Sequence, residues 1–405
     1  MEEFQKYIDL FLNLKIYKKK YFSVNFQKEF SLFINNFPEI DNDIDKIYDF
    51  IKSYHFSENS INSLINLIEK EHLIYFFTYC RNHLNQITEV LNIKNPICEF
   101  QKKRIFLGVI WFAIGFYICY LINKFHNLNN FISFKDASNN SYMIFLTCCF
   151  VYYDDIFDNL DIDIKLKKII LKYTSYFLEN INTFKTIEEL ENNFIVKNTN
   201  LCEKKYLEIK KINKILGILF KKQKKNPNLD ILNNIKELFY LESKTSKNQK
   251  NTNDVNKILE ITIKKSYQSI KTIFICLCPN VDLNKYNITD LIYKLSFLSQ
   301  LIDDLNDKKI DIFEKKNTIF TLQKNNIYID NLLNYIYYLK EDFAKYKNCE
   351  YLNIINCNLN LFLFNYAISK NKLFYKNIRQ YLPILECDID LIRKKKNNFI
   401  KKVEI

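Results

Sequence analysis

Glycine and proline are scarce, at 3 and 5 residues in a chain of 405. So few punctuators argue against a β-sandwich, a dinucleotide-binding fold and any glycine loop that cradles phosphate. Histidine is equally rare (His55, His72, His83, His126), and neither an HExxH motif nor a Cys/His cluster occurs, which argues against zinc chemistry. The 11 cysteines form no CxxC pair and no regular spacing, the pattern of reduced core thiols rather than of a disulfide framework. Arginine is limited to Arg81, Arg104, Arg379 and Arg393, so lysine carries nearly all of the basic charge and the formal net charge of +13. No basic stripe alternates with aromatics as a nucleic-acid groove requires, so the basicity reads as a solvated surface and no nucleic acid is expected as partner. The Met-Glu-Glu start lacks a charged-then-apolar signal pattern, and the expected location is cytoplasmic, with membrane association at the periphery left open.

Apolar residues make up 48% of the chain, enough for a large core, and without strand alternation the fold class is all-α. Residues 1–95 read as short amphipathic helices, broken near Pro38 and Pro96, that pack on or extend a bundle formed by 96–405. Ile105–Ile122 carries no charge over eighteen residues, the lower limit for spanning a bilayer. It also fits a central helix that is apolar all round because other helices surround it, and that is the reading adopted. A second apolar helix is expected from about Ser141 to Asp158. Residues 221–256 hold two polar tracts around one short helix and read as a disordered insertion. Helical periodicity resumes at Lys257 and continues to about Asn398.

Two acidic clusters carry the chemistry. Asp154, Asp155 and Asp158 follow Tyr152-Tyr153 at the end of the second apolar helix, three carboxylates on one side of a helix. Carboxylates this close oppose one another's ionisation, and hard divalent cations such as Mg²⁺ reverse that sign. The pattern recurs at Asp303, Asp304 and Asp307, preceded by Gln300. These four residues form one stripe at spacings of three and four, against an apolar stripe of Leu295, Leu298, Leu301, Ile302 and Leu305. Two acidic helix faces can enclose Mg²⁺ ions and the phosphates between them.

On these residues the chain resembles the superfamily of class I terpene synthases and trans-isoprenyl diphosphate synthases over roughly 100–325. The first cluster looks like their first aspartate-rich motif, and the second, with its glutamine, like the second motif of the prenyl synthases. The resemblance implies the isoprenoid-synthase fold, an antiparallel helical bundle around a central apolar cavity. It implies a prenyl diphosphate held by three Mg²⁺ ions, with Mn²⁺ as a substitute, and the homodimers common in that superfamily. Lys265-Ser266 stands where prenyl synthases carry a Lys-Thr pair on the diphosphate, with Lys264 one residue away as an alternative. Lys315-Lys316-Asn317-Thr318 is similar to a Gly-Lys-x-Thr-like segment that places another cation, here Lys316. Arg379, before Gln380-Tyr381, resembles the arginine of a C-terminal Arg-Tyr pair that closes over diphosphate.

The departures concern the second substrate. No N-terminal Gly-Lys segment exists, and no arginine pair follows Asp158. The expectation is therefore a terpene synthase ionising one allylic prenyl diphosphate. A chain-elongating polyprenyl diphosphate synthase is the alternative, and a helical membrane or scaffold protein is the non-enzymatic one.

Overall fold

The chain's computed structural model describes residues 2–14, 35–37, 44–57, 70–90, 140–158, 163–198, 203–279, 288–313, 315–322 and 327–344, with isolated positions between them. Helices and their connecting turns account for all of these, with no strand among the described residues, as the scarcity of glycine and proline leads one to expect. In chain order they are α1 (Glu2–Asn13), α2 (Ile44–Ser53), α3 (Lys70–Val90), α4 (Ser141–Asp158), α5 (Ile164–Asn180) and α6 (Ile187–Lys197). There follow α7 (Glu203–Lys225), α8 (Leu229–Asn251), α9 (Val255–Leu277), α10 (Ile288–Asn306), α11 (Lys308–Phe313) and α12 (Ile327–Ala344).

Several starts are set by side chains that cap the first turn. Asp163 accepts from the Lys165 amide, Asn228 from Ile231, and Asp254 from Asn256 and Lys257. Thr186 and Glu189 form a reciprocal capping box ahead of α6.

Helix α4 holds the centre. Met143, Ile144, Phe145, Leu146, Cys148, Cys149 and Val151 are all buried, so the helix is enclosed on most of its circumference. It packs on α3, α7 and α9. Of the apolar run 105–122, the described positions Gly108, Val109, Phe112, Phe116 and Cys119 are helical and buried. Gly108 permits a close crossing onto α4, since a Cβ there would stand 3.2 Å from Val151 Cγ2. Phe116 stacks on Tyr79 of α3, whose ring stacks in turn on His83. His83 Nε2 meets Thr147 Oγ1 of α4 at 2.8 Å, and Thr147 donates to the Met143 carbonyl, so the histidine ring donates. Among the described residues, no helix is long and apolar enough to cross a membrane.

The expected insertion at 221–256 is corrected by the structure. α7 runs to Lys225, a two-residue turn follows Asn226, and α8 is a helix of 23 residues that packs on α9 and α5. Ile231, Leu232 and Ile235 are buried, and Leu238 and Phe239 pack against the same core, at the spacing of one helix face. The polar tract beginning at Lys244 continues that helix toward Asn251.

The N-terminal helices pack into the same core. Phe11 of α1 is fully buried between Phe297 of α10 and Tyr335 of α12. Asp290 of α10 receives Lys6 at 2.8 Å and the Tyr7 hydroxyl at 2.7 Å. The buried Lys294 ties Asp290 at 2.6 Å to Asp342 of α12 at 2.7 Å.

Candidate active site

The direction of each helix decides where the two acidic clusters lie. Tyr142 of α4 and the Asn228 carbonyl both receive the Gln223 amide, each at 3.1 Å. Eleven residues further on in each helix, the rings of Tyr153 and Phe239 meet at 5.1 Å. Hence α4 and α8 run parallel and in register. α7 runs antiparallel to α4, because Tyr152 near the other end of α4 donates to Glu208 at 3.0 Å. α8 and α9 form an antiparallel hairpin in which Asn234 meets Gln268 and Glu242 meets Lys265, the latter at 3.0 Å. α9 and α10 pack side by side.

Along this chain of contacts Asp154, one residue beyond Tyr153, stands level with Tyr240 on α8. Two residues further, about 3 Å at the rise of a helix, Glu242 holds Lys265. The Lys265 charge acts on Asp304 of α10. The α4 end that carries Asp154, Asp155 and Asp158 and the α10 end that carries Asp303, Asp304 and Asp307 therefore share one end of the bundle. The side chains of Asp154, Asp155 and Asp158 lie outside the described residues; their backbone forms the last turn of α4.

That last turn of α4 is braced by its two tyrosines. Tyr153 shares a short hydrogen bond with Thr174 of α5, and Glu208 is itself ion-paired to Lys211 at 2.6 Å. Both phenols are held above their usual range by burial first of all.

The α10 end is better defined. The Gln300 side-chain amide donates to Asp303 Oδ2 at 3.1 Å and to Asp304 Oδ1 at 3.0 Å. Asp303 and Asp307 are exposed, whereas Asp304 is 6% exposed and its Oδ2 is buried without a hydrogen-bond partner. Burial drives the Asp304 carboxyl up to about 7; the Gln300 hydrogen bond opposes this and the Asp303 charge adds to it.

The helical ladder crosses from α10 into α11, with the Asp307 amide on the Asp303 carbonyl and the Asp311 amide on that of Asp307. A fourth carboxylate, Asp311, consequently joins the same side, also 6% exposed. Its carboxyl is pushed up to about 8, chiefly by burial and then by Asp304, with Lys316 pulling the other way. Asp311 was not among the sequence candidates, although its place four residues after Asp307 continues the stripe.

The cations are distributed as follows. Lys265 pairs with Glu242 at 3.0 Å and its charge acts on Asp304, while Lys264 is drawn to Glu260 at 2.5 Å and over the Phe4 ring. Ser266 is buried, and its hydroxyl donates back to the Ile263 carbonyl of its own helix at 3.1 Å. Lys316 is fixed by its amide on the Asp311 carbonyl at 2.8 Å. Next to it, the Asn317 side-chain amide donates to the Thr252 carbonyl at 2.9 Å and to Asn253 Oδ1 at 3.0 Å, both in the turn between α8 and α9. Arg379 lies outside the described residues.

Among the described residues, no group of three or more His, Cys, Asp and Glu side chains is placed to hold a metal ion. The carboxylates of the first cluster are not in that set.

No protein-family model, curated protein or solved structure matches this chain. Four carboxylates, two of them buried, face two lysines at one end of an apolar bundle. Such a set suits a ligand that brings both positive and negative charge, as a phosphate–metal complex does.

Proposed function

We propose that this protein is a Mg²⁺-dependent enzyme of the isoprenoid-synthase kind, ionising an allylic prenyl diphosphate in the manner of a class I terpene synthase. The observation that carries the reading is the meeting of Lys265, Gln300, Asp303, Asp304 and Lys316 at the bundle end where α4 also delivers Asp154. The residues come from three separate stretches of the sequence.

A further detail supports the resemblance. Lys315 has φ 56°, the left-handed region that favours glycine, and it occupies the glycine position of the resembled Gly-Lys-x-Thr segment.

The donor set fits Mg²⁺: oxygen ligands only, with one buried carboxylate oxygen of Asp304 left without a partner. Asp303 and Asp304, held side by side by Gln300, would share one ion with phosphate oxygens and water, and Asp154, Asp155 and Asp158 would hold the two others. Bound there, Mg²⁺ would neutralise the diphosphate and make it a competent leaving group.

The remaining work falls to the chain's own groups. Lys265 and Lys316 grip phosphate oxygens as point charges. Gln300 holds the Asp303 and Asp304 carboxylates in one orientation, so that less reorganisation is needed when the ligand arrives. The apolar helices beneath, α4 above all, keep water from the allylic cation after the C–O bond breaks. Ring closure within the prenyl chain passes the charge to another carbon, and the cation is finally quenched by loss of a proton to the departed diphosphate or by capture of water with loss of its proton. The absence of the arginine segments that bind isopentenyl diphosphate favours this one-substrate reaction over chain elongation.

The test is incubation of the purified protein with Mg²⁺ and geranyl, farnesyl or geranylgeranyl diphosphate, with and without isopentenyl diphosphate. Pyrophosphate release with a hydrocarbon or alcohol product from the single substrate is the expected result, lost in Asp154→Ala and Asp303→Ala at unchanged helicity. A longer diphosphate formed only with isopentenyl diphosphate would instead establish the elongating synthase. No turnover under any of these conditions would overturn both enzymatic readings.

A further inference from the structure

A hydroxyl buried within a helix ordinarily turns back on its own backbone. Serine or threonine donates to the carbonyl three or four residues earlier, which satisfies the group without any tertiary partner. Among the described residues, six serines and threonines are buried within helices. Five follow the rule: Thr147 donates to the Met143 carbonyl, Thr174 to Ile170, Ser266 to Ile263, Thr272 to Gln268 and Ser296 to Tyr293. Thr262 of α9 does not. It is 1% exposed, and its Oγ1 has no hydrogen-bond partner.

The register of the helices gives its place. The Asn234 carbonyl of α8 receives both Gln268 and Thr272 of α9, so Asn234 stands opposite the residue midway between them, Ile270. Eight residues on along α8 and eight back along α9, Glu242 stands opposite Thr262. Since Glu242 lies two residues past the level of Asp154, Thr262 is level with the last turn of α4. Thr262 also precedes Lys265 by three residues, which makes the two neighbours on α9, Lys265 turned to Glu242 and Thr262 turned into the core. Asp304 Oδ2 and Thr318 Oγ1 are likewise buried without partners, and they stand on the stretches that carry Gln300 and Lys316. A fold leaves such groups unsatisfied at a cost in stability, which is characteristic of places where a ligand completes the bonding.

We propose that Thr262 is a diphosphate-binding residue, its hydroxyl donating to a phosphate oxygen beside Lys265. This deepens the function proposed above and rests on it. The hydroxyl supplies what the lysine does not. Lys265 attracts any nearby anion as a point charge, whereas a hydroxyl donates one directional bond to one oxygen. A β-branched side chain on a helix has few rotamers, so the donor is held in place before the ligand arrives. Because its oxygen is closed to solvent, ligand entry shifts the side chains around it before the bond forms.

The test uses the full chain, with inorganic pyrophosphate in saturating Mg²⁺ as the probe. Thr262→Val keeps the shape and removes the hydroxyl, and Thr262→Ser keeps the hydroxyl. Calorimetric titration is expected to give a Kd about tenfold or more above wild type for the valine variant, and about the wild-type value for the serine variant. Without ligand, the valine variant should melt at the wild-type temperature or a few degrees above it, since no bond is lost. Equal pyrophosphate affinity in the wild type and the valine variant overturns the proposal and leaves the diphosphate reading standing. A valine variant that melts several degrees lower without ligand also overturns it, because the hydroxyl would then serve a structural partner such as an ordered water. A wild-type chain that binds no pyrophosphate in Mg²⁺ refutes the diphosphate reading itself, and this inference with it.

Discussion

Asp304 places a large local cost in the candidate site. A carboxylate oxygen buried without a partner costs about 1–3 kcal/mol, and the cost is greatest once the group is ionised. Its folded value of about 7 lies above the ordinary carboxylate value near 4, so the penalty grows as pH rises through that window. Asp304→Asn is expected to raise the melting temperature of the Mg²⁺-free protein by a few degrees at pH 8 and by little at pH 5. Turnover should fall about a hundredfold or more, because several kcal/mol of leaving-group stabilisation is at stake. Equal melting shifts at both pH values would contradict this account. Lys315 stores a smaller strain. Removing its Cβ from the left-handed region gains about 1–2 kcal/mol and frees an unfolded glycine at a cost of about 0.5–1 kcal/mol. Lys315→Gly should therefore raise the urea midpoint slightly and leave turnover in solution unchanged. Neither residue's state was legible in the sequence. The helical stripe identified Asp304 as acidic and in line with Asp307. Its depth depends on how α10 is rotated against α9, a tertiary choice that local spacing does not encode.

At the scale of the elements, the contrast between α4 and α8 shows what sequence patterning reveals. The apolar run fixed both ends of α4 at Ser141 and Asp158, because a continuous greasy segment ending in three carboxylates has abrupt borders. Helix α8 reads from the sequence as only a short helix between polar tracts, since its lysine- and asparagine-rich second half outweighs a single buried stripe in the first. The docking of α1 was equally hidden, because its partner Asp290 is remote in the chain. Burial opposes ionisation of Asp290, but hydrogen bonds from Lys294, Lys6 and Tyr7 win and hold its carboxyl down at about 2. A depressed carboxylate stabilises above its unfolded value and loses that contribution as pH falls to its folded one. Acid should thus loosen α1 between about pH 4 and pH 2, measurable as loss of amide protection in residues 2–13. Lys294→Met, which leaves Asp290 to Lys6 and Tyr7 and takes the Lys294 ion pair from Asp342, should cost about 1.5–3 kcal/mol in chemical denaturation at pH 7. Asp290→Asn should leave a chain without that acid step.

For the whole molecule, one core reaches from Tyr7 to Leu339 and joins the N-terminal helices to the bundle. The all-α class was readable because so few residues can make tight turns. The nearness of Lys265 to Asp304 was not readable, since nothing in the local spacing ties the two. If the two acidic ends cooperate, Mg²⁺ and inorganic pyrophosphate should stabilise the fold together far more than either does alone. A hundredfold excess over Kd adds about 2.7 kcal/mol, which Asp304→Asn should abolish. Additive single effects would mean that the clusters do not share a ligand.

The link from Asn317 to Thr252 and Asn253 has a mechanical outcome. It buttons the segment bearing Lys316 to the hairpin bearing Lys265, so the two lysines are carried by one tied unit. If the site takes a diphosphate as proposed, its release would require shifting that unit as a body, and severing the button with Asn317→Ala would let the lysines part from the ligand one at a time.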